Sequence, residues 1–167
     1  MKQRRTVVSI ALMMILAAPF AQANEARIGG GANYWIAVDD IDVDHVDENG
    51  FSFFGSYQYW MGPIGLEANL EFTPDKYGEN AFSPQAFVLF GSAIYAGAGI
   101  GIEYLDGDFA EEPFFALRAG LNLEIVPDVY WDIYGLYRLN DTAELGNEAT
   151  DIDSDTVFLG SAVRLAF

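Results

Sequence analysis

The stretch DTVFLGSAVRLAF, residues 155–167, alternates between two kinds of side chain. From Phe167 back to Val157, every second residue is apolar apart from Ser161, and the intervening set holds Arg164 together with Phe158 and small residues. A period of two residues is that of a β-strand with two different faces. The stretch therefore predicts a strand with one apolar face and one face that accommodates a charge.

Seven further segments of the chain show the same alternation. Glycine, proline, asparagine and aspartate separate them, as expected at turns between strands. The segments have nine to twelve residues, close to the ~9–11 residues with which a tilted strand crosses a bilayer and longer than the usual globular strand of about five or six. The predicted strands span residues 27–38, 51–61, 64–73, 82–90, 94–104, 114–125, 129–139 and 156–167.

The charges in these strands all fall on one face, and the opposite face is apolar along the whole chain. Four arginines nearly balance five carboxylates, as suits a closed interior in which buried charges must pair. The charged face holds Arg27, Glu67, Glu71, Glu103, Arg118, Glu124, Asp132, Arg138 and Arg164.

Two architectures produce such an alternation. A soluble sandwich or a lipocalin-like barrel turns its apolar face inward, whereas a transmembrane barrel turns the apolar face toward lipid and encloses a polar lumen. The strand length and the balance of the strand charges favour the second architecture. We therefore predict an all-β fold, an eight-stranded antiparallel up-and-down transmembrane β-barrel.

The first 23 residues have the pattern of a secretory signal peptide. Three basic residues precede an apolar run over 7–20, and a small-x-small cleavage site follows at 21–23. The apolar run is shorter than the ~20 residues that a membrane-spanning helix needs. We expect residues 1–23 to be removed, which leaves residues 24–167 as an exported barrel domain.

The composition of residues 24–167 excludes two classes of function. Five basic and 25 acidic residues remain after the signal peptide, a net charge of −20. A protein that binds nucleic acid through phosphate contacts needs a basic face, which this charge excludes. The chain contains no cysteine, so disulfides and zinc–thiolate sites are excluded as well.

The connections between the predicted strands alternate between short and long. The short ones lie at 62–63, 91–93 and 126–128, and the long ones at 39–50, 74–81, 105–113 and 140–155. Bacterial outer-membrane barrels have short periplasmic turns and longer external loops. With an even number of strands, we expect both chain termini at the periplasmic end.

Three segments of the mature chain carry a resemblance to a known family, namely IYAGAGIGIEYL (94–105), VYWDIYGLYRL (129–139) and the final LGSAVRLAF (159–167). With them the chain resembles the small eight-stranded OmpA-like outer-membrane β-barrels of Gram-negative bacteria. The resemblance implies location in the cell outer membrane as a monomer surrounded by membrane lipid and lipopolysaccharide. Phe167, with Leu165 and Val163 at alternate positions, resembles the assembly signal that the barrel-assembly machinery recognises. We expect no peptidoglycan-binding domain after the barrel.

The predicted barrel has room for an ion network but not for a wide pore, because eight strands enclose an interior that side chains just fill. We expect the charged residues to pair as Arg–carboxylate clusters. Glu71, Glu103 and Arg138 are predicted toward the external end, Asp132, Glu124 and Arg164 toward the periplasmic end, and Arg118 and Glu67 complete the network.

The sequence predicts a structural or surface-interaction role. A small-solute channel is the alternative, and a lipid A-modifying enzyme is a further one. Catalysis by acyl transfer or hydrolysis requires a histidine placed with a nucleophile and a carboxylate. The one histidine, His45, lies in an acidic run with Ser52 as the nearest serine. We therefore predict no enzyme activity, no cofactor and a solvated loop histidine.

The predicted external loops are strongly acidic, with 18 carboxylates against Lys76 as the single basic residue. Facing anionic lipopolysaccharide, such loops would repel it unless divalent cations bridge the two. The D-x-D-x-D spacing supplies candidate calcium ligands, but the glycine and late glutamate of an EF-hand are missing. A solvated acidic surface is the simpler interpretation, so we predict no resident metal. The candidate ligands are Asp40, Asp42, Asp44, Asp151, Asp153 and Asp155.

Overall fold

The computed structural model describes residues 24–38, 49–76, 79–105, 108–144 and 151–167. The predicted signal peptide, most of the first acidic loop, and therefore His45, Asp40, Asp42 and Asp44 lie outside these residues. No helix in the described part of the chain is long and apolar enough to cross a membrane.

Ten β-strands make up the described chain, and eight of them are long. Alternating apolar residues favour extended strands throughout. Successive side chains of a strand point to opposite faces of the sheet, so the apolar residues can all lie on one face and the polar residues on the other. The strands are β1 Glu25–Ala37, β2 Asn49–Met61, β3 Ile64–Lys76, β4 Glu79–Gly91, β5 Ile94–Gly101, β6 Tyr104–Leu105, β7 Asp108–Phe109, β8 Phe114–Val126, β9 Val129–Glu144 and β10 Asp151–Ala166. The two-residue strands β6 and β7 form a small hairpin beyond β5.

The long strands form one closed antiparallel barrel. Each pairs with its neighbour along the chain, and β1 pairs with β10 to close the sheet. The closing pair is hydrogen-bonded from Arg27↔Ala166 to Ala37↔Thr156. This confirms the predicted fold class.

The register around the barrel sets the tilt of the strands. Paired residues followed once around the sheet lead from Arg27 back to β1 at Ala37, a shift of ten residues. With about 3.3 Å per residue and about 4.7 Å between strands, this shift over eight strands corresponds to a tilt of about 41°. The interior is therefore narrow enough for side chains from facing strands to meet.

The barrel has two distinct ends. The short turns 62–63, 92–93 and 127–128 lie at the same end as the described chain termini, which we call the turn end. Gly62 and Asp128 take positive φ angles of 61° and 65° in two of these turns, a conformation that glycine and aspartate tolerate better than most residues. The opposite end, where the longer connections lie, is the loop end.

The two faces of each strand differ sharply in exposure. On β10, Phe158 is 2% exposed whereas the next residue, Leu159, is 64% exposed. The outward surface consists of large apolar side chains from every long strand, and the inward surface holds the buried charges and amides. This inverted distribution is that of a barrel whose outer wall contacts lipid.

Several loop-end strands extend further than predicted. β3 continues to Lys76 rather than residue 73, and β10 begins at Asp151 rather than residue 156. Backbone pairing needs no apolar side chains, so it continues beyond the apolar segment that the sequence pattern detects. The predicted loops 74–81 and 140–155 are therefore wrong in extent, because much of each is strand.

Candidate functional site

Four charged side chains from four strands meet near the middle of the barrel and form what we call the central cluster: Glu67, Arg118, Asp132 and Arg164. Arg118 donates from Nη1 to Glu67 Oε1 at 2.9 Å and from Nη2 to Asp132 Oδ2 at 2.7 Å. Arg164 pairs with Asp132, and its Nη2 lies 3.5 Å from Glu67 Oε2. All four side chains are fully buried. Two cations and two anions thus balance within one closed network.

Neutral side chains complete the hydrogen bonding of the central cluster. Tyr95 donates its hydroxyl to Asp132 Oδ1 at 2.8 Å and accepts from Arg118 Nε at 2.9 Å. Gln58 donates to Glu67 Oε2 at 2.5 Å. The Tyr134 ring lies under the Arg118 guanidinium, with its centroid 3.8 Å away. A buried ion pair needs such additional hydrogen bonds if its attraction is to offset the free-energy cost of removing both charges from water.

A second group, the Glu71 cluster, lies closer to the loop end. Its carboxylate pairs with Arg138 and accepts hydrogen bonds from three neutral side chains, namely Asn33, Ser52 and Gln85. The Arg138 guanidinium lies between the rings of Phe114 and Phe158, at 4.4 and 4.1 Å from their centroids. The charged side chains and these two aromatic rings together fill this part of the lumen.

Lys76 and Glu103 form a third, buried ion pair at the loop end, with 2.6 Å between Nζ and Oε2. Lys76 was expected in an external loop. A register shift between Thr73 and Lys76 turns this side chain inward. Irregular pairing changes which face a residue occupies, and strict alternation along the sequence could not have revealed it.

The turn end holds a less complete arrangement. Arg27 pairs with Glu25, and its guanidinium lies 3.5 Å from the centroid of the Tyr130 ring. Glu124, predicted within the ion network beside Arg164, is instead exposed here and accepts the Asp128 backbone N–H at 3.3 Å. The prediction for Glu124 is wrong because its position is at the mouth of the barrel, where an exposed carboxylate needs no charged partner.

Inward glycines make room for the large interior side chains. A Cβ built on Gly160 would lie 2.2 Å from Cζ of Tyr134, the ring that supports Arg118. A Cβ on Gly29 would lie 2.7 Å from Cγ of Arg164. Large side chains therefore occupy the space beside glycines of the neighbouring strand, and this close packing leaves less open volume in the lumen.

The predicted assembly-signal residues lie on the outward face. Val163, Leu165 and Phe167 are all exposed, and the Phe167 backbone N–H donates to Ala26 O at 3.0 Å. Pairing with β1 thus continues to the last residue. The recognition role that their resemblance implies stays a prediction.

The predicted metal ligands do not form a described site. Asp151 and Asp153 belong to strand β10, not to a loop, and Asp155 accepts a hydrogen bond from the Tyr137 hydroxyl. Among the residues that the structure describes, no group of three or more histidine, cysteine or carboxylate side chains could hold a metal ion.

The fold is shared with solved membrane barrels of low sequence identity. Neisserial surface protein A superposes with a TM-score of 0.59 and 16% identity, over 86% of this chain and 97% of that one. The outer membrane protein AlkL gives a TM-score of 0.55 and 14% identity, over 90% and 92% of the two chains. The N-terminal barrel of Pseudomonas aeruginosa OprF gives 0.54 and 14%, over 87% and 98%. No protein-family model matches the sequence, and neither does any curated protein.

The closed sheet, the apolar outer wall and these similarities define the class of protein. The chain folds as a small eight-stranded outer-membrane β-barrel. The resemblance to this class is thereby confirmed at the level of fold, and the predicted location in the cell outer membrane agrees with it.

Proposed function

We propose that this protein is an outer-membrane barrel with a structural or surface-interaction role, whose lumen is closed by paired charges. The observation that carries the proposal is the central cluster, in which Arg118 bridges Glu67 and Asp132. Arg118 on β8 reaches Glu67 on β3, so this ion pair crosses the interior, and Asp132 lies on β9, the strand next to β8. The proposal includes no catalytic step and no cofactor.

Closure has an energetic basis. A solute that moves along the barrel axis must separate at least one buried Arg–carboxylate pair and so leave buried charges without partners. Removal of one partner of a buried pair, which also leaves such a charge, costs about 3–5 kcal/mol. The Glu71 cluster and the Lys76–Glu103 pair repeat this obstacle toward the loop end.

Aromatic rings add steric closure between the charged layers. Trp60 and Tyr95 lie edge to face with their centroids 6.4 Å apart on the turn-end side. Phe114 and Phe158 flank Arg138 on the loop-end side. Buried rings are rigid and fill volume at little conformational cost, so they favour a plug over a pore.

The loop end supports the surface role. Asp75, Asp108, Glu111 and Glu112 are exposed there, and Lys76, which follows Asp75 in the sequence, is buried. We propose that this end presents an acidic surface to the exterior, where cationic partners or cation-bridged lipopolysaccharide would contact it. The proposed surroundings of the apolar wall are membrane lipids, around a monomer inserted by the barrel-assembly machinery.

Conductance measurements test the closed lumen. The wild-type protein in planar lipid bilayers is expected to give no single-channel steps. A double variant, Glu67→Ser with Arg118→Ser, removes one cation and one anion and is expected to conduct. Gly135→Ala, at an outward position with open space around it, is the matched control and should remain silent. Wild-type steps as large as those of the double variant would overturn the proposal in favour of a channel.

Adsorption of a polycation tests the acidic surface. Polylysine should bind the protein in neutral-lipid nanodiscs with an affinity that falls as salt rises, because exposed charges are screened. Glu111→Gln with Glu112→Gln should weaken this binding, whereas Asp128→Asn at the turn end should not. Equal losses from both variants would show that the loop end has no special role.

A further inference from the structure

Five aromatic residues form a continuous row on the outward face of the barrel, which we call the aromatic row. Each residue is paired directly with the next on a neighbouring strand, from β2 through β3, β4 and β6 to β7. Residues paired in this way have Cβ atoms about 5 Å apart. The ring centroids of the second and third members, and those of the last two, are 4.9 Å apart. The row consists of Phe53, Phe72, Phe82, Tyr104 and Phe109.

The aromatic row runs obliquely from the middle of the barrel wall to the loop end. The register raises a row of paired residues toward the loop end with every strand passed from β1 to β2 and onward. At a tilt of about 41° and with about 4.7 Å between strands, four steps raise the row by about 12 Å. Phe53, which pairs with Ala32 midway along β1, therefore lies in the lipid-facing wall, and Phe109 lies near the loop-end rim. Their side chains are 53% and 59% exposed.

The exposed charge beside the upper end of the aromatic row is negative. Asp108 directly precedes Phe109, Glu111 and Glu112 follow within three residues, and all three carboxylates are exposed. Every lysine and arginine of residues 24–167 is buried, with 3% exposure or less, so a cation at this rim must come from a partner. These buried residues are Arg27, Lys76, Arg118, Arg138 and Arg164.

Aromatic rings and carboxylates together favour one kind of ligand chemistry. Ring faces attract ammonium groups, most strongly where water is excluded. Carboxylates at the membrane surface attract the same groups and repel phosphate. The lower rings distinguish poorly between one hydrocarbon chain and another, because lipid tails already surround the wall and are themselves apolar. The selectivity of this surface should therefore rest on the headgroup of an amphiphile.

We propose that the aromatic row binds a membrane amphiphile with an ammonium headgroup. The hydrocarbon chain would lie against the first three rings. The headgroup would contact Tyr104 and Phe109, and it would lie within reach of the carboxylates that follow them. The oblique course of the row favours an amphiphile over a soluble polycation, because most of the rings lie below the rim, among lipid chains. The inference rests on the proposed acidic surface and names the class of partner that this surface selects.

Photo-crosslinking in phosphatidylcholine nanodiscs tests the site, with a hexadecyltrimethylammonium probe that carries a diazirine in its chain. The crosslinks, located by mass spectrometry, should concentrate on β3, β4 and β7. Their yield should be at least threefold that of a hexadecyl sulfate probe with the diazirine on the same carbon, because both probes have the same chain and differ in the sign of the head charge.

Two matched phenylalanine variants locate the binding. Phe109→Ala should lower the yield of the cationic probe at least threefold, because it removes one of the two rings at the headgroup. Phe90→Ala is the control, because Phe90 is similarly exposed, at 62%, but lies at the turn end of β4. Glu111→Gln with Glu112→Gln should abolish the preference for the ammonium probe over the sulfate probe. All four side chains are exposed, so none of these changes opens the interior.

The outcomes separate a selective site from ordinary lipid-facing wall. Equal yields for the cationic and sulfate probes, or equal yields for Phe109→Ala and Phe90→Ala, would overturn the proposal. A hexadecyl phosphate probe that crosslinks better than the cationic probe once calcium is added would also overturn it, in favour of a cation-bridged phosphate headgroup. Binding of polylysine without preferential crosslinking of the cationic probe would overturn this inference and leave the acidic-surface proposal standing.

Discussion

Two arginines in the lumen have the same aromatic support but unequal hydrogen bonding. Arg118 lies 3.8 Å from the Tyr134 centroid and Arg27 lies 3.5 Å from that of Tyr130. Arg118 donates from Nε, Nη1 and Nη2, whereas the Nη1 of Arg27 has no partner among the described residues. Saturated hydrogen bonding makes the first arginine a structural element. Incomplete hydrogen bonding leaves the second with one N–H that has no acceptor among the described residues.

Position in the barrel explains this difference. The central cluster draws partners from β2, β3, β5, β8, β9 and β10. The turn end draws them from fewer strands, and Arg27 Nη1 and Asn122 Oδ1 stay without a partner among the described residues. The cost of removing each group should therefore fall from the centre of the lumen to its mouth.

Arg118→Met is expected to have the largest effect. It would leave Glu67 and Asp132 with only Arg164 as a cation, and an uncompensated buried charge costs about 3–5 kcal/mol. The free energy of unfolding, from reversible urea titration in micelles, should fall accordingly. Arg27→Met is the matched comparison and should lose less, because Glu25 is partly exposed. Equal losses would contradict the distinction between the two arginines.

Arg138→Met should destabilise the barrel by about 3 kcal/mol, at the lower end of the same range. The smaller loss is expected because Asn33, Ser52 and Gln85 would still donate to Glu71. Adding Glu71→Gln should recover part of the loss in the same urea titration, since the isolated charge is then removed. A double variant less stable than Arg138→Met would argue against pairing.

Gly160→Ala tests the interlocking of small and large residues. Its Cβ would meet the Tyr134 ring at 2.2 Å, and such overpacking costs roughly 1–3 kcal/mol. Gly135→Ala is the control, because nothing lies within 4 Å of the added carbon. Thermal unfolding midpoints should separate the two variants. Identical midpoints would show that the ring moves aside freely.

Tyr134→Phe should have the smallest effect, about 1 kcal/mol. The ring under Arg118 is retained, and what is lost is the hydroxyl donated to Asn33 Oδ1 at 2.7 Å. The urea midpoint should shift slightly without a change in slope. A loss as large as that of Arg118→Met would mean that the hydroxyl, rather than the ring, supports the network.

The sequence was sufficient for the fold and for the inward direction of most charges. Period-two alternation assigns each strand residue to a face wherever pairing is regular. It failed at Lys76, where a bulge reverses the face, and at Asp151 and Asp153, where pairing continues into acidic sequence. It also placed Glu124 in the network, because alternation gives the face and not the depth.

By itself the sequence determined the eight strands, their lipid-facing side and most of the charges that must be enclosed. Only the tertiary structure decided which charge meets which. Partners such as Glu67 and Arg118 are 51 residues apart, and the ten-residue shift around the barrel brings them to the same depth. That shift is a property of the closed sheet as a whole, and no local stretch of sequence encodes it.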